Sequence, residues 1–156
     1  MSSNDTGQLI RDYLTDLADH CHFQFCVADM REIESRFPLD GPELLGVLSD
    51  GELRHLDALR LHKNKIQWIS GRYAVKSALC KQQSLNGRMM NLNNIDVIKG
   101  ADSAPYLLQY PGLHVSITHS SPYCIGVVSE KRIGIDLEAV SNHSDSLIKY
   151  YFNEKE

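Results

Sequence analysis

Two short stretches of the 156-residue chain bring together side chains able to do chemistry. In Ile133-Gly134-Ile135-Asp136-Leu137-Glu138 the residue types alternate. On an extended chain Ile133, Ile135 and Leu137 fall on one face, so Asp136 and Glu138 share the other, about 7 Å apart. Two carboxylates at that spacing can converge on a hard cation. With only two protein ligands, water and phosphate oxygens would complete the shell, which suits Mg2+ better than an all-protein Ca2+ cage. The plainer reading of the same pattern is a solvated outer face. In Val115-Ser116-Ile117-Thr118-His119-Ser120, hydroxyls surround one imidazole. At a strand end Thr118, His119 and neighbouring backbone N–H groups can bind a phosphate or orient a nucleophile. A turn stabilised by hydroxyl side chains is the alternative. No G-x-S-x-G elbow supports a serine hydrolase. His20, Cys21, His22 and Cys26 are metal-capable, but they lack the C-x2–4-C and H-x3–5-H spacings of a zinc site.

A third candidate is basic. The formal net charge is −4, yet residues 54–88 carry 8 basic groups and 1 acidic one, flanked by acidic segments. Within that island, Lys65, Arg72 and Lys76 project within roughly 40° of one another on a helix, beside an apolar stripe of Ile66, Ile69, Tyr73 and Cys80. A basic row in an acidic protein points to a local polyanion site along a groove; a solvated helix face is the alternative. Trp68, the only tryptophan, falls in the same helix and reads as core or groove wall.

The elements that must position these residues can be read from periodicity and punctuation. Residues 6–20 form an amphipathic helix, with Leu9, Ile10, Tyr13, Leu14, Leu17 and Ala18 at helical spacing, followed by a strand over 23–27. Pro38, Gly41 and Pro42 mark a loop. Ser49 and Glu52 match the S-x-x-E capping box, so a helix starts at Asp50 and runs to about His62; the basic helix covers 65–81. From residue 95 the pattern turns to strands, over 95–99, 106–109, 113–118, 123–129 and 132–140, arranged as an antiparallel meander. A further helix is expected from Ser144 to Tyr151. The fold class is therefore α+β, an antiparallel sheet meander packed with helices. No apolar run approaches the roughly 20 residues of a membrane span, and the polar start has no secretory signal. A cytoplasmic protein with reduced thiols and neither membrane nor nucleic acid as partner is expected.

Taken in order, a W-x-x-G-R-x-A-x-K-x-A-L helix from Trp68, Pro105 before a short strand, V-S-I-T-H-S and I-G-I-D-L-E resemble the 4′-phosphopantetheinyl transferase superfamily, from about Leu48 onward. Because G-I-D follows about 130 residues, the likeness is to the larger, pseudo-dimeric surfactin and enterobactin synthetase activator type. The resemblance implies Mg2+-dependent transfer of the phosphopantetheine arm of coenzyme A to a serine of an acyl or peptidyl carrier protein, releasing adenosine 3′,5′-bisphosphate. It implies Asp136 and Glu138 as metal ligands, His119 beside them in the catalytic set, and Lys65, Arg72, Lys76, Pro105, Thr118 and His119 at coenzyme A.

The resemblance also divides the chain into a weakly matching 1–45, a first half-domain over 46–140 and the start of a second half over 141–156. It implies a chain that ends before a second-half helix supplying a third acidic ligand, so that exposed apolar surface favours self-association. Two departures follow, that missing helix and Ser103-Ala104-Pro105, which lacks the basic residue that members commonly carry before the proline; a non-catalytic coenzyme A or carrier-protein binding module is the rival to an enzyme.

Overall fold

A computed structural model describes residues 3–101 and 103–140. Helix α1 (Ser3–Cys21) leads into strand β1 (Phe23–Asp29). Asp29 ends the strand and caps helix α2 (Met30–Arg36), its carboxylate accepting from the Arg31 amide at 2.9 Å. The sequence reading has no helix here, although Asp29 and Glu32 are spaced as a cap and its third-position partner. After a single 3-10 turn at Pro42–Gly46, Ser49 and Glu52 form the expected capping box and α3 spans Asp50–Ala58. It stops short of His62 because Leu59 is extended (φ −75°, ψ 131°). The chain restarts as α4 (His62–Leu85), which contains the basic helix.

The main sheet has the order β1-β5-β4, antiparallel throughout. Strands β4 (His114–Ser120) and β5 (Tyr123–Ser129) are a hairpin, and β1 pairs along the other edge of β5, Phe23 opposite Ser129. The fold is α+β as expected, but the sheet is not a sequential meander: among the described residues the first strand lies beside the last. Strands β2 (Val97–Lys99) and β3 (Pro105–Leu107) form a separate hairpin.

Helix α4 is central, which explains its lack of a clean amphipathic stripe. On one side Ile69 and Ala74 pack with Phe37, Leu44, Leu48 and Leu56; on the other Val75, Ala78 and Leu79 pack with Val97, Leu107, Val115 and Val128. Its approach to the sheet depends on glycine. A methyl group at Gly126 would lie 2.5 Å from the Val75 nitrogen and 2.6 Å from the Ala74 carbonyl carbon.

The outer face of the sheet, with Phe23, Val27, Ile125 and Val127, is covered by α1 and by the segment after β5, whose Ile133, Ile135 and Leu137 join the same cluster. That segment corrects the expected strand over 132–140. Residues 131–140 form no strand. The Ile135 amide donates to Ser116 Oγ at 3.3 Å and the Leu137 amide to Thr118 Oγ1 at 3.0 Å. Hydroxyls of β4 take up the N–H groups that a backbone ladder would have used. Between α1 and this segment remains an apolar groove of about 900 Å³. Among the described residues, no helix is long and apolar enough to cross a membrane. The expected helix from Ser144 lies outside the described residues.

Replacing Gly126 with alanine forces a methyl group into rigid helix backbone. The Gly126→Ala variant is expected to lose about 3 kcal/mol, at the upper end of overpacking costs. A denaturant titration showing wild-type stability would remove this contact as a constraint on the fold.

Candidate functional site

A cavity of about 690 Å³ opens where α3, α4, β2, β3, β4 and the 131–140 segment meet. Arg72 and Trp68 enter from α4, Lys99 from the end of β2, Pro105 from the start of β3, Thr118 and His119 from the end of β4, and Asp136 and Glu138 from the segment beyond β5. Of the residues singled out in the sequence, Arg72, Pro105, Thr118, His119, Asp136 and Glu138 are thus brought together.

The structure corrects the basic row. Lys76 has no exposed surface. Its ammonium is ion-paired with Glu52 and donates to the Val47 carbonyl at 2.6 Å. Burial pulls its pKa down, against the opposing charge of Glu52. Local spacing places Lys76 beside Arg72, but α4 is covered on that side by α3, so a lysine there can only exist paired. Lys65 does not line the cavity. Lys81 turns elsewhere, donating to the Phe25 carbonyl at 3.0 Å.

Arg72 alone of the row reaches the cavity. Its guanidinium carbon lies 4.3 Å from the centroid of Trp68, whose other neighbour is His55, stacked at 5.1 Å and 26°. Nη2 donates to the Val97 carbonyl at 3.3 Å. Nε is buried with no hydrogen-bond partner among the described residues. Burial lowers the pKa of this guanidinium, with Glu52 opposing the shift. A buried cationic donor without a partner is costly, and the same guanidinium lines the cavity, where an anion can meet its charge.

Lys99 was not singled out from the sequence. In the β2–β3 register it stands opposite Pro105. A lysine thus stands across the hairpin from the proline that has no basic residue before it, a placement that only strand pairing reveals. His55, Asn64 and Gln67 also line the cavity unforeseen. His55 carries no local signal, whereas Asn64 and Gln67 lie one to two helical turns before Arg72.

Asp136 and Glu138 line the same cavity as Arg72 and Lys99, while their alternating neighbours Ile133, Ile135 and Leu137 pack into the sheet's outer cluster. Thr118 Oγ1 lies 3.2 Å from Asp136 Oδ1 and donates to it. Among the described residues no group of three His, Cys, Asp or Glu side chains is placed to hold a metal. The two carboxylates fit an ion that takes its other ligands from water and phosphate, and do not fit one that needs an all-protein cage.

This architecture is the fold of the holo-(acyl-carrier-protein) synthases. The structure of such a synthase from Bacillus anthracis, in complex with CoA (3′,5′-ADP), matches with a TM-score of 0.55 at 18% identity, covering 68% of this chain and 91% of that one. The Helicobacter pylori synthase in complex with coenzyme A matches at 0.53 and 22% identity, covering 69% and 97%. In sequence the chain is similar to the holo-(acyl-carrier-protein) synthase of Bacillus subtilis, 32% identical over 76 residues, a stretch that spans 63% of that relative's length. The synthase of Anoxybacillus flavithermus is 28% identical over 113 residues, 87% of its length. No family model matches the chain. These relatives and structures are holo-(acyl-carrier-protein) synthases, of the small type rather than the larger pseudo-dimeric type expected from the sequence.

Cutting the Glu52–Lys76 pair tests its contribution to the fold. Lys76→Met leaves a buried carboxylate uncompensated and is expected to cost about 4 kcal/mol, whereas Glu52→Gln combined with Lys76→Met should cost less than Lys76→Met alone. Additive losses in urea titrations of the singles and the double would contradict a coupled buried pair.

Proposed function

We propose that this protein is a phosphopantetheinyl transferase, moving the phosphopantetheine arm of coenzyme A to a serine of an acyl or peptidyl carrier protein. The observation that carries the reading is the division of one cavity's lining between two cations, Arg72 and Lys99, and two carboxylates, Asp136 and Glu138. That division suits a diphosphate held between fixed cations and a metal ion. Sequence similarity to synthases named for the acyl carrier protein, and a fold shared with a synthase in complex with coenzyme A, support it.

In the proposed reaction the carrier serine oxygen bonds to the phosphorus that bears the pantetheine arm. The bond from that phosphorus to the oxygen of the adenosine-side phosphate breaks, and adenosine 3′,5′-bisphosphate leaves with the bonding electrons. The serine proton passes to a base or water. Arg72 and Lys99 bind phosphate oxygens, Trp68 and Pro105 shape the wall beside them, and His119 donates to a phosphate from the end of β4. Asp136 and Glu138 would hold Mg2+. When bound, the ion would neutralise charge on the diphosphate as the serine attacks, so catalysis rests on positioning and electrostatics.

A non-catalytic module that binds coenzyme A or the carrier is the second reading, favoured by one observation, the lack of a third metal-capable side chain among the described residues. Self-association belongs to the proposal too. Leu9 and Tyr13, 57% and 66% exposed beside the apolar groove, offer the surface; concentration-dependent sedimentation that Tyr13→Glu abolishes would support it, and a monomer at all concentrations would end it.

Transfer from labelled coenzyme A to an apo carrier protein in Mg2+ decides between enzyme and module. Asp136→Ala should abolish labelling, a loss of at least about 1,000-fold if the ion supplies several kcal/mol. Arg72→Ala and Lys99→Ala should each raise KM for coenzyme A about tenfold, the loss of one charge-assisted hydrogen bond. Wild-type chain that binds coenzyme A yet labels no carrier would establish the module.

A further inference from the structure

The two carboxylates lie on a stretch with no strand pairing of its own, so something other than a backbone ladder must set their position. Two side chains of β4 do so. Ser116 Oγ accepts from the Ile135 amide at 3.3 Å, and Thr118 Oγ1 accepts from the Leu137 amide at 3.0 Å. The two-residue step on β4 matches the two-residue step on the segment, in the same chain direction. Asp136 is bracketed between the two anchored amides.

Thr118 does more. A threonine hydroxyl has one hydrogen to give. Thr118 gives it to Asp136 Oδ1 at 3.2 Å while its oxygen holds Leu137. The one hydrogen of this hydroxyl, on a residue only 8% exposed, is therefore given to the segment. On the opposite face Ile135 and Leu137 pack into the cluster of Phe23, Ile125 and Val127, which prevents the segment from rolling and burying its carboxylates.

We propose that Ser116 and Thr118 are positioning residues that set the height and orientation of Asp136 and Glu138 over the cavity. This rests on the reading of Asp136 and Glu138 as the metal site. Such support of a ligating carboxylate typically affects metal affinity by 10- to 100-fold.

The test is Mn2+ binding in the presence of coenzyme A, followed by electron paramagnetic resonance, together with hydrogen exchange of individual amides in the absence of metal. Thr118→Val and Ser116→Ala should each weaken Mn2+ binding about tenfold, and Thr118→Ser, which keeps the hydroxyl, should stay within about twofold of wild type. Exchange at Leu137 should accelerate at least about tenfold in Thr118→Val, and at Ile135 in Ser116→Ala, while the β5 amides keep wild-type protection. A generally destabilised fold would instead speed exchange in β5. Asp136→Asn separates the two levels of the argument. If it abolishes Mn2+ binding while Ser116→Ala and Thr118→Val retain wild-type affinity, the positioning role is overturned and the metal site stands. If Asp136→Asn binds Mn2+ like wild type, the metal reading falls, and the positioning proposal with it, whatever the exchange rates show about anchoring. Ser116→Ala keeps the proposal falsifiable should Thr118→Val fail to fold, because Ser116 is only partly buried.

Discussion

The carboxylate of Glu52 is the contact on which the cavity depends. It is buried, and it accepts from the Ser49 amide at 3.0 Å, from the Val97 amide at 3.1 Å and from the ammonium of Lys76. Those partners come from the start of α3, from β2 and from the middle of α4. A charge this deep is tolerable only when its hydrogen-bonding capacity is filled, so the three elements cannot shift independently. Val97 passes the constraint on: its amide is held by Glu52 and its carbonyl accepts from Arg72. Lys99 stands two residues along the same short strand, so Glu52 reaches both cavity cations through β2.

Small residues set the other dimension. Gly126 lets α4 lie directly on β5, and Gly71 lets it lie on β4, where an added methyl would come within 3.2 Å of Ile117. Gly71 precedes Arg72, and Ile117 precedes Thr118 and His119. The glycine contact therefore fixes the distance between the cationic side chain of the helix and the hydroxyl and imidazole of the strand end. Helix and sheet close the cavity from two sides, and packing rather than loop conformation holds the gap between them.

Much of this was legible in the sequence, for physical reasons that also mark where legibility ended. Ser49 and Glu52 announce α3 because a capping box is a local structure, and alternation from Ile133 to Glu138 correctly separates apolar from acidic side chains because that depends only on an extended backbone. The same alternation does not say whether hydroxyls or a neighbouring strand's carbonyls receive the amides, and so a hydroxyl-anchored segment reads as a strand. Lys76 fails for a different cause. Its partner Glu52 is 24 residues earlier, and a helix packed on both sides shows no polar face from which burial could be read. Lys99 becomes a cavity residue only through its register with Pro105. These three misreadings belong to pairings between distant parts of the chain, whereas the missed helix α2 carries a local cap at Asp29.

The cavity's two walls differ in how they are built, and that difference bears on order of binding. Arg72 is fixed by the Trp68 ring and the Val97 carbonyl within packed elements, whereas Asp136 and Glu138 ride on a segment tied down by two hydroxyls and an apolar face. Cations alone in such a cavity would accept many phosphate-bearing molecules. Two carboxylates in the same lining repel the same phosphates, so they oppose a diphosphate until a divalent cation reverses their sign. On the proposed reading the ion is then a condition of productive phosphate binding as well as an aid to transfer. The carboxylates would make a general anion site selective for a ligand whose oxygens can share the metal.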